Sequence, residues 1–414
     1  MGSFRAVGEV KASSSVRQAS FAFMITNCGF DPSARSAASD PREVEYHNSM
    51  EPAPPLIRPH MPELDSVRGI AVLMVLFLHG MAPPMNAGLS RWGRAILSVT
   101  RHGAVGVNLF FVLSGFLITG ILISSRDRPD YYRHFYGRRA LRILPALYAT
   151  LLILLALGWI GGRFLIVSLL FAANFAGILG VPLQYPVLWS LAVEEHFYLL
   201  WPALVRRLSI TTLVILIAAI CVASPLLRAG MFLYAHNPQN SMYSWSNLDG
   251  LALGAMLAIW VRRPWFRRSH LSRLAGPLLV AGVVAYLFLI AHPGLAASSF
   301  STLSSNLASA GLLSSMLLLG TSRWRFVVDR PFLKFLGFIS YGLYLVHILA
   351  FKLVETLFDR FFRVVIDAEM PTVAMLLRFL LGAGLAIGIA YVSRVTLEKS
   401  FLTGKFPRLR SRLL

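Results

Sequence analysis

The sequence predicts an all-α fold: a polytopic bundle of about ten membrane-spanning helices with one further partial or re-entrant helix near 163–180. Three observations predict it. Hydrophobic residues make up 56% of the 414-residue chain and charged residues only 14%, whereas a soluble domain carries about a quarter charged residues. Mean hydropathy is +0.64. The 39 Lys and Arg, set against 19 Asp and Glu for a net charge of +20, fall in short clusters between long apolar runs. That is the pattern of a chain that threads a bilayer repeatedly. A nucleic-acid binder would carry such charge on a folded polar domain, so that class is excluded. Cys28 and Cys221 are too few for a disulfide framework, and no Cys/His spacing reads as a metal site.

The elements follow in order. Residues 1–60 hold Ser, Pro, Ala and mixed charges, including the run Glu51-Pro52-Ala53-Pro54-Pro55. They lack the apolar core of a signal peptide and the hydroxyl residue of a myristoylation signal, and read as a disordered cytoplasmic N-terminal extension. Residues 61–402 form the membrane domain. Apolar segments near 64–83, 105–125, 140–160, 187–205, 209–227, 246–261, 274–291, 302–320, 335–354 and 372–393 each approach the ~20 residues a helix needs to cross. Residues 403–414 form a basic cytoplasmic tail. With so short a tail after the last span, the chemistry is expected to be completed within the membrane domain.

Charge bias sets the orientation, because short cytoplasmic loops are enriched in Lys and Arg. One cluster is Arg126, Arg128, Arg133, Arg138, Arg139 and Arg142, and a second is Arg262, Arg263, Arg267, Arg268 and Arg273. A third is Arg323, Arg325, Arg330 and Lys334, and the last runs from Arg394 through Lys399, Lys405, Arg408 and Arg410 to Arg412. All fall on the cytoplasmic side, with both termini inside, if 163–180 does not fully cross. Arg91, Arg94 and Arg101 in the first outer loop are a mild violation. The expected location is a membrane that both termini face from the cytoplasm.

Ionisable residues inside such spans are costly and mark function. In the first span Arg68 and His79 lie eleven residues apart, on one helix face and about 16 Å apart along the axis. The structural alternative makes Arg68 a charge anchor and His79 an interfacial residue. The fourth span carries Glu194, Glu195 and His196 in an apolar helix. Adjacent residues point about 100° apart, so one carboxylate can face a cavity while the other pairs with a cation. Ser190 lies one turn earlier. In the ninth span Ser340, Tyr341, Tyr344 and His347 share a face, which is either packing or the wall of a polar cavity. Asp249 is either a helix cap or a cavity residue. Counting depth from the cytoplasm, His79, Glu194, Glu195, Asp249 and His347 fall toward the outer half. Arg68, Arg139 and Arg142 fall at the inner edge, the last two three apart and able to grip phosphates together.

Six segments together resemble the acyltransferase family 3 membrane enzymes, which include O-antigen and exopolysaccharide O-acetylases. They are Leu64-Asp65-Ser66-Val67-Arg68-Gly69-Ile70-Ala71 with His79, Gly106-Val107-Asn108-Leu109-Phe110-Phe111-Val112-Leu113-Ser114-Gly115-Phe116-Leu117, and Arg138-Arg139-Ala140-Leu141-Arg142-Ile143-Leu144-Pro145. Trp189-Ser190-Leu191-Ala192-Val193-Glu194-Glu195-His196-Phe197-Tyr198, Asp249-Gly250-Leu251-Ala252-Leu253-Gly254 and Ile339-Ser340-Tyr341-Gly342-Leu343-Tyr344-Leu345-Val346-His347 complete the set. Each is weak alone; six in order are specific. The chain departs from the pattern at Asn108, where many members have Asp, at His196, where many have Gln, and at Ser66-Val67 in place of Gly-Leu.

The resemblance implies transfer of an acyl group, commonly acetyl, from cytoplasmic acyl-CoA to a hydroxyl of a carbohydrate, glycolipid or other cell-envelope acceptor. It implies no bound cofactor, no metal and no nucleic-acid partner; the acyl-CoA (acetyl-CoA in the usual case) is a co-substrate. The location it implies is a bacterial cytoplasmic (inner) membrane. By this resemblance His79 is the essential histidine and general base. Glu194, with Glu195 beside it, is the acidic site that either orients the imidazole or positions the acceptor. Arg68, Arg139 and Arg142 hold the donor, and Ser190, Asp249, Tyr341, Tyr344 and His347 line the acceptor side. The competing class is a transporter or flippase that moves a glycan or lipid-linked sugar without covalent chemistry. Inverted repeats would mark it, and no convincing internal repeat is visible.

Overall fold

The computed structural model describes residues 56–58, 61–81, 88–235, 241–362 and 370–403. Residues 1–55 of the N-terminal extension and the tail beyond 403 lie outside the described residues.

The chain runs through Pro62–Gly80 (α1), Arg91–Thr100 (α2), Val105–Ser124 (α3), Tyr131–Ala156 (α4), Gly162–Leu169 (α5), Leu188–Arg207 (α6) and Ile210–Tyr234 (α7). It continues with Leu248–Trp260 (α8), Arg268–Ala291 (α9), Leu295–Gly320 (α10), Arg325–Val328 (α11), Pro331–Phe362 (α12) and Pro371–Ser393 (α13). A π-helical turn, Arg394–Glu398, then leads into Lys399–Thr403 (α14). No strand occurs among the described residues. In lipid only helices and closed barrels satisfy their own backbone, so the apolar composition and this all-helical fold agree.

Of the ten segments read from the sequence, seven are helices long and apolar enough to cross a membrane: those containing α3, α4, α7, α9, α10, α12 and α13. The other three are α1, α6 and α8. Glu63, Asp65 and Arg68 set α1 apart, and Glu194, Glu195 and His196 lower the apolarity of α6. Of these groups Asp65, Arg68, Glu194 and Glu195 also belong to the candidate active site. α8 is a shorter apolar helix.

The 163–180 segment does not span. α5 is 8 residues long, about 12 Å. It ends where Phe171 adopts φ 54, with the Phe171 N–H donating to Ser168 O at 3.1 Å and the Ala172 N–H to Val167 O at 2.8 Å. This is a Schellman termination with phenylalanine in the left-handed position that glycine usually fills. The turn that follows is docked by its side chains. Asn174 donates to the Ser244 hydroxyl at 2.9 Å, Ser244 lies 2.6 Å from His196 Nδ1, and Phe175 stacks on the His196 ring.

Two helices pass so closely that their backbones touch. A Cβ on Gly69 of α1 would stand 2.1 Å from the Leu333 carbonyl of α12, and one on Gly337 of α12 would stand 2.0 Å from the Asp65 carbonyl of α1. Membrane helices associate through such small residues, because lipid gives no hydrophobic drive to bury larger ones. α1 and α12 run parallel from this crossing. Ten residues beyond each glycine stand His79 and His347, and their rings meet. α13 packs along α12, α3 lies between α1 and α8, and α10 closes against α3 and α9.

Candidate active site

The site is assembled from the charged end of α1, the first half of α4, the middle of α6, the face of α12 and the π-helical turn after α13. At one end is a group of arginines. Arg68 donates to Asp65 at 2.7 Å, one turn back on α1. Arg394 donates to Glu398 at 2.8 Å, both side chains at least nine-tenths buried, and its guanidinium lies 4.7 Å from the Phe338 ring. The charges acting on Arg142 are those of Arg68, Arg139, Arg394 and Glu398. Arg142 itself has no hydrogen-bonded or ion-paired carboxylate among the described residues. Arg139 lies with its guanidinium 3.4 Å from the centre of the Tyr198 ring, and its Nε has no hydrogen-bond partner.

Tyr198 connects this group to the acidic pair. Its hydroxyl donates to Glu194 Oε2 at 2.9 Å, and Ser114 of α3 donates to Glu194 Oε1 at 2.7 Å. The two hydroxyls lie 3.0 Å apart. Glu194 thus spends both oxygens on neutral donors, with Arg139 and Arg142 as its nearby positive charges. Glu195 is the less satisfied of the two: its Oε1 is buried without a hydrogen bond, and Arg139 is the cation that acts on it.

At the other end is the histidine pair. Tyr344 meets Ser190 of α6 hydroxyl to hydroxyl, and its ring lies 5.7 Å from that of His347. His347 Nε2 is 3.2 Å from His79 Nδ1. His79 Nδ1 also lies 3.1 Å from the Val75 carbonyl, one turn back on α1. Polar side chains thus form two groups, four arginines with Tyr198 and Glu194 at one end and Ser190, Tyr344 and two imidazoles at the other, with the charge of Glu194 acting on Tyr344 between them. Among the described residues no three His, Cys, Asp or Glu side chains are grouped to hold a metal ion.

Several expectations are corrected. The arginines and the carboxylates are not separate groups: Arg139 of α4 lies on the Tyr198 ring of α6, Tyr198 binds Glu194, and the charge of Arg139 acts on both carboxylates. Asp249 stands in the first turn of α8, where its Oδ1 accepts the Gly250 N–H at 3.1 Å, as the cap reading has it, and its other oxygen is taken by a cation. It forms a buried ion pair with Arg228 of α7 at 2.9 Å, with 0% and 5% side-chain exposure, and Arg228 also donates to the carbonyls of Ser299 and Ser246. Tyr341 donates to the Ile143 carbonyl at 2.8 Å, tying α12 to α4 beside Arg142. His347 is completely buried (0%) and faces His79 rather than a wall of open space. Arg394, counted with the basic C-terminal cluster, is buried in the site.

Ser114, Tyr198, Arg394 and Glu398 belong to the site and were not singled out from the sequence. The first two stand inside segments already noted for family resemblance. Arg394 and Glu398, four apart in an apolar stretch, carry the signal of an ion pair at helical spacing.

Known proteins share sequence with this chain. A family model described as an acyltransferase domain matches residues 61–395. The chain is 31% identical over 165 residues to the peptidoglycan O-acetyltransferase OatA of Listeria monocytogenes, covering 35% of this chain and 24% of that one. It is 34% identical over 166 residues to the putative peptidoglycan O-acetyltransferase YrhL of Bacillus subtilis, covering 34% and 23%. With the O-acetyltransferase OatA of Staphylococcus aureus it shares 31% over 174 residues, covering 36% and 25%. The matched region spans about a quarter of the length of these relatives. No solved structure matches the chain.

Proposed function

The chain belongs to the acyltransferase family whose model spans residues 61–395, and from that premise we propose that it is a membrane O-acetyltransferase. It moves an acetyl group from acetyl-CoA, bound from the cytoplasm, to a hydroxyl of a carbohydrate in the cell envelope. The observation that carries this reading is the array of polar side chains buried among the helices, cationic at one end and ending in a histidine pair at the other. A structural ion-pair network would neutralise its own charges, whereas Arg142 is left without a carboxylate. That leaves a guanidinium free for an anionic ligand such as the phosphates of a nucleotide thioester.

In the reaction His79 takes the proton of the acceptor hydroxyl as that oxygen attacks the thioester carbonyl. The tetrahedral intermediate collapses, the carbon–sulfur bond breaks, and the proton on His79 passes to the departing thiolate sulfur. General base catalysis of this kind contributes about 10²–10⁴-fold. Arg68, Arg139, Arg142 and Arg394 hold the donor's charge. Glu194, already bonded to Ser114 and Tyr198, holds α3 and α6 in register with the arginines and orders Arg139 through Tyr198. The membrane is the bacterial cytoplasmic one, with both termini inside.

Purified protein given acetyl-CoA and a cell-envelope glycan fraction should release free coenzyme A thiol and form alkali-labile acetyl esters on the glycan. His79→Ala should lose both while keeping its melting temperature. Transport of glycan into vesicles without thiol release would favour a transporter and overturn the reading.

A further inference from the structure

We infer that His347 is a positioning residue that fixes the proton of His79 on Nδ1 and so presents Nε2 as the basic nitrogen. The inference rests on the reading of His79 as the base and adds a second imidazole to it.

Proton bookkeeping leads to this arrangement. His347 Nδ1 lies 2.7 Å from the Tyr344 carbonyl and 3.3 Å from the Leu343 carbonyl. Carbonyl oxygens only accept, so Nδ1 carries the hydrogen and the neutral ring has a bare Nε2. That bare nitrogen faces His79 Nδ1 at 3.2 Å. Two nitrogens in contact need one hydrogen between them, and His79 must supply it. The Val75 carbonyl, 3.1 Å from the same Nδ1, demands the same answer. The opposite tautomer of His79 would aim a lone pair at both a carbonyl and a bare nitrogen.

The surroundings hold the pair in place. His347 is fully buried, so water does not compete for its Nε2. The turn that carries it is braced by Tyr185, whose hydroxyl donates to the Leu345 carbonyl at 2.7 Å and accepts from the Leu349 N–H at 3.3 Å. The parallel crossing at Gly69 and Gly337 brings α1 and α12 close enough for the rings to meet. When His79 Nε2 takes the acceptor's proton, the imidazolium charge is shared through Nδ1–H with His347 Nε2. A buried acceptor of this kind does for the imidazole what the third member of a catalytic triad does, without bringing a negative charge into the membrane.

The test uses two polar replacements of His347 in the full chain. Glutamine can place its amide oxygen near the position of Nε2, so His347→Gln should retain kcat within about threefold. Asparagine keeps a polar group near Nδ1 and cannot reach His79, so His347→Asn should lower kcat about 10–100-fold, the size of loss seen when a partner that orients a metal-ligating histidine is removed. The KM for acetyl-CoA should stay within about twofold in both, because the arginines lie at the other end of the site. Equal loss in the two variants, or a normal kcat in His347→Asn, overturns the proposal. In ¹⁵N-histidine-labelled wild-type protein the His79 resonances, assigned by their loss in His79→Ala, should show a protonated Nδ1 and a bare Nε2. The reverse pattern also overturns it. Full turnover in His79→Ala would instead remove the base itself, a separate failure.

Discussion

Replacing Arg142 by glutamine should weaken donor binding and at the same time raise stability. Asp65 compensates Arg68, and Glu398 compensates Arg394. Arg139 is set against the Tyr198 ring, with Glu194 behind it. Arg142 adds a charge to this group without a carboxylate of its own, facing three cations and one anion. At an effective dielectric constant near 20, one pair of unit charges about 8 Å apart contributes about 2 kcal/mol. Partial cancellation by Glu398 and by the paired carboxylates leaves a net repulsion on the order of 1 kcal/mol. Glutamine removes it; Glu194 loses one of its two nearby positive charges but keeps Arg139 and its hydrogen bonds from Ser114 and Tyr198. Against that gain, the donor loses a charge-assisted contact worth about 1.5–3 kcal/mol, or roughly a 10–150-fold rise in its dissociation constant. The assay is isothermal binding of coenzyme A to detergent-purified protein, with a thermal melt on the same sample. An unchanged or higher melting temperature with weakened binding is the expected pair of results. Unweakened binding refutes the anion-site argument, and a melting temperature several degrees lower refutes the account of Arg142 as an uncompensated charge.

Three further outcomes follow from the packing. Asp249→Asn should cost about 3–5 kcal/mol, because it strands the buried Arg228 guanidinium; pairing it with Arg228→Met should recover much of that in a melt, and no such recovery would point to a role beyond the ion pair. Gly337→Leu should prevent α12 from seating on α1 and abolish both folded yield and acyl transfer, since a Cβ there already stands 2.0 Å from the Asp65 carbonyl; a well-folded, active variant would contradict the backbone contact. Reporter fusions after residues 126, 262 and 414 should all report the cytoplasm. An outside signal at 262 with an inside signal at 126 would require 163–180 to cross.

The fold and part of the site were legible in the sequence, for different reasons. Segment length and apolarity are local properties, so all ten helices could be placed without knowing how they meet. The partial helix could be read because a complete crossing would move every later arginine cluster to the other side, although its means of stopping, a left-handed Phe171, has no marker in a residue type that rarely adopts that backbone. His79, Glu194 and the arginines stood out because charge in an apolar helix is costly. Asp249 stood out for the same reason and proved to be paired with Arg228. A residue's cost in lipid says that it must have a partner, not which one.

What the sequence by itself determined is the set of ten apolar helical segments and the list of polar groups that had to be buried among them; the helix at Arg91–Thr100, read as loop, and the long extensions of α4 and α12 were not among them. Only the tertiary structure decided which of those groups meet. Spacing along a helix fixes which residues share a face, at about 100° each, but the face a neighbour sees depends on where two backbones cross. Here the crossing at Gly69 and Gly337 brings together histidines 268 positions apart, and the reach of a long side chain from α4 to α6 places Arg139 on Tyr198. Arg394 shows the difference most plainly. By charge count it is one more cytoplasmic anchor; carried on by the π-helical turn that continues α13 beside α4, it becomes part of the site, because a charge count along the chain carries no information about rotation.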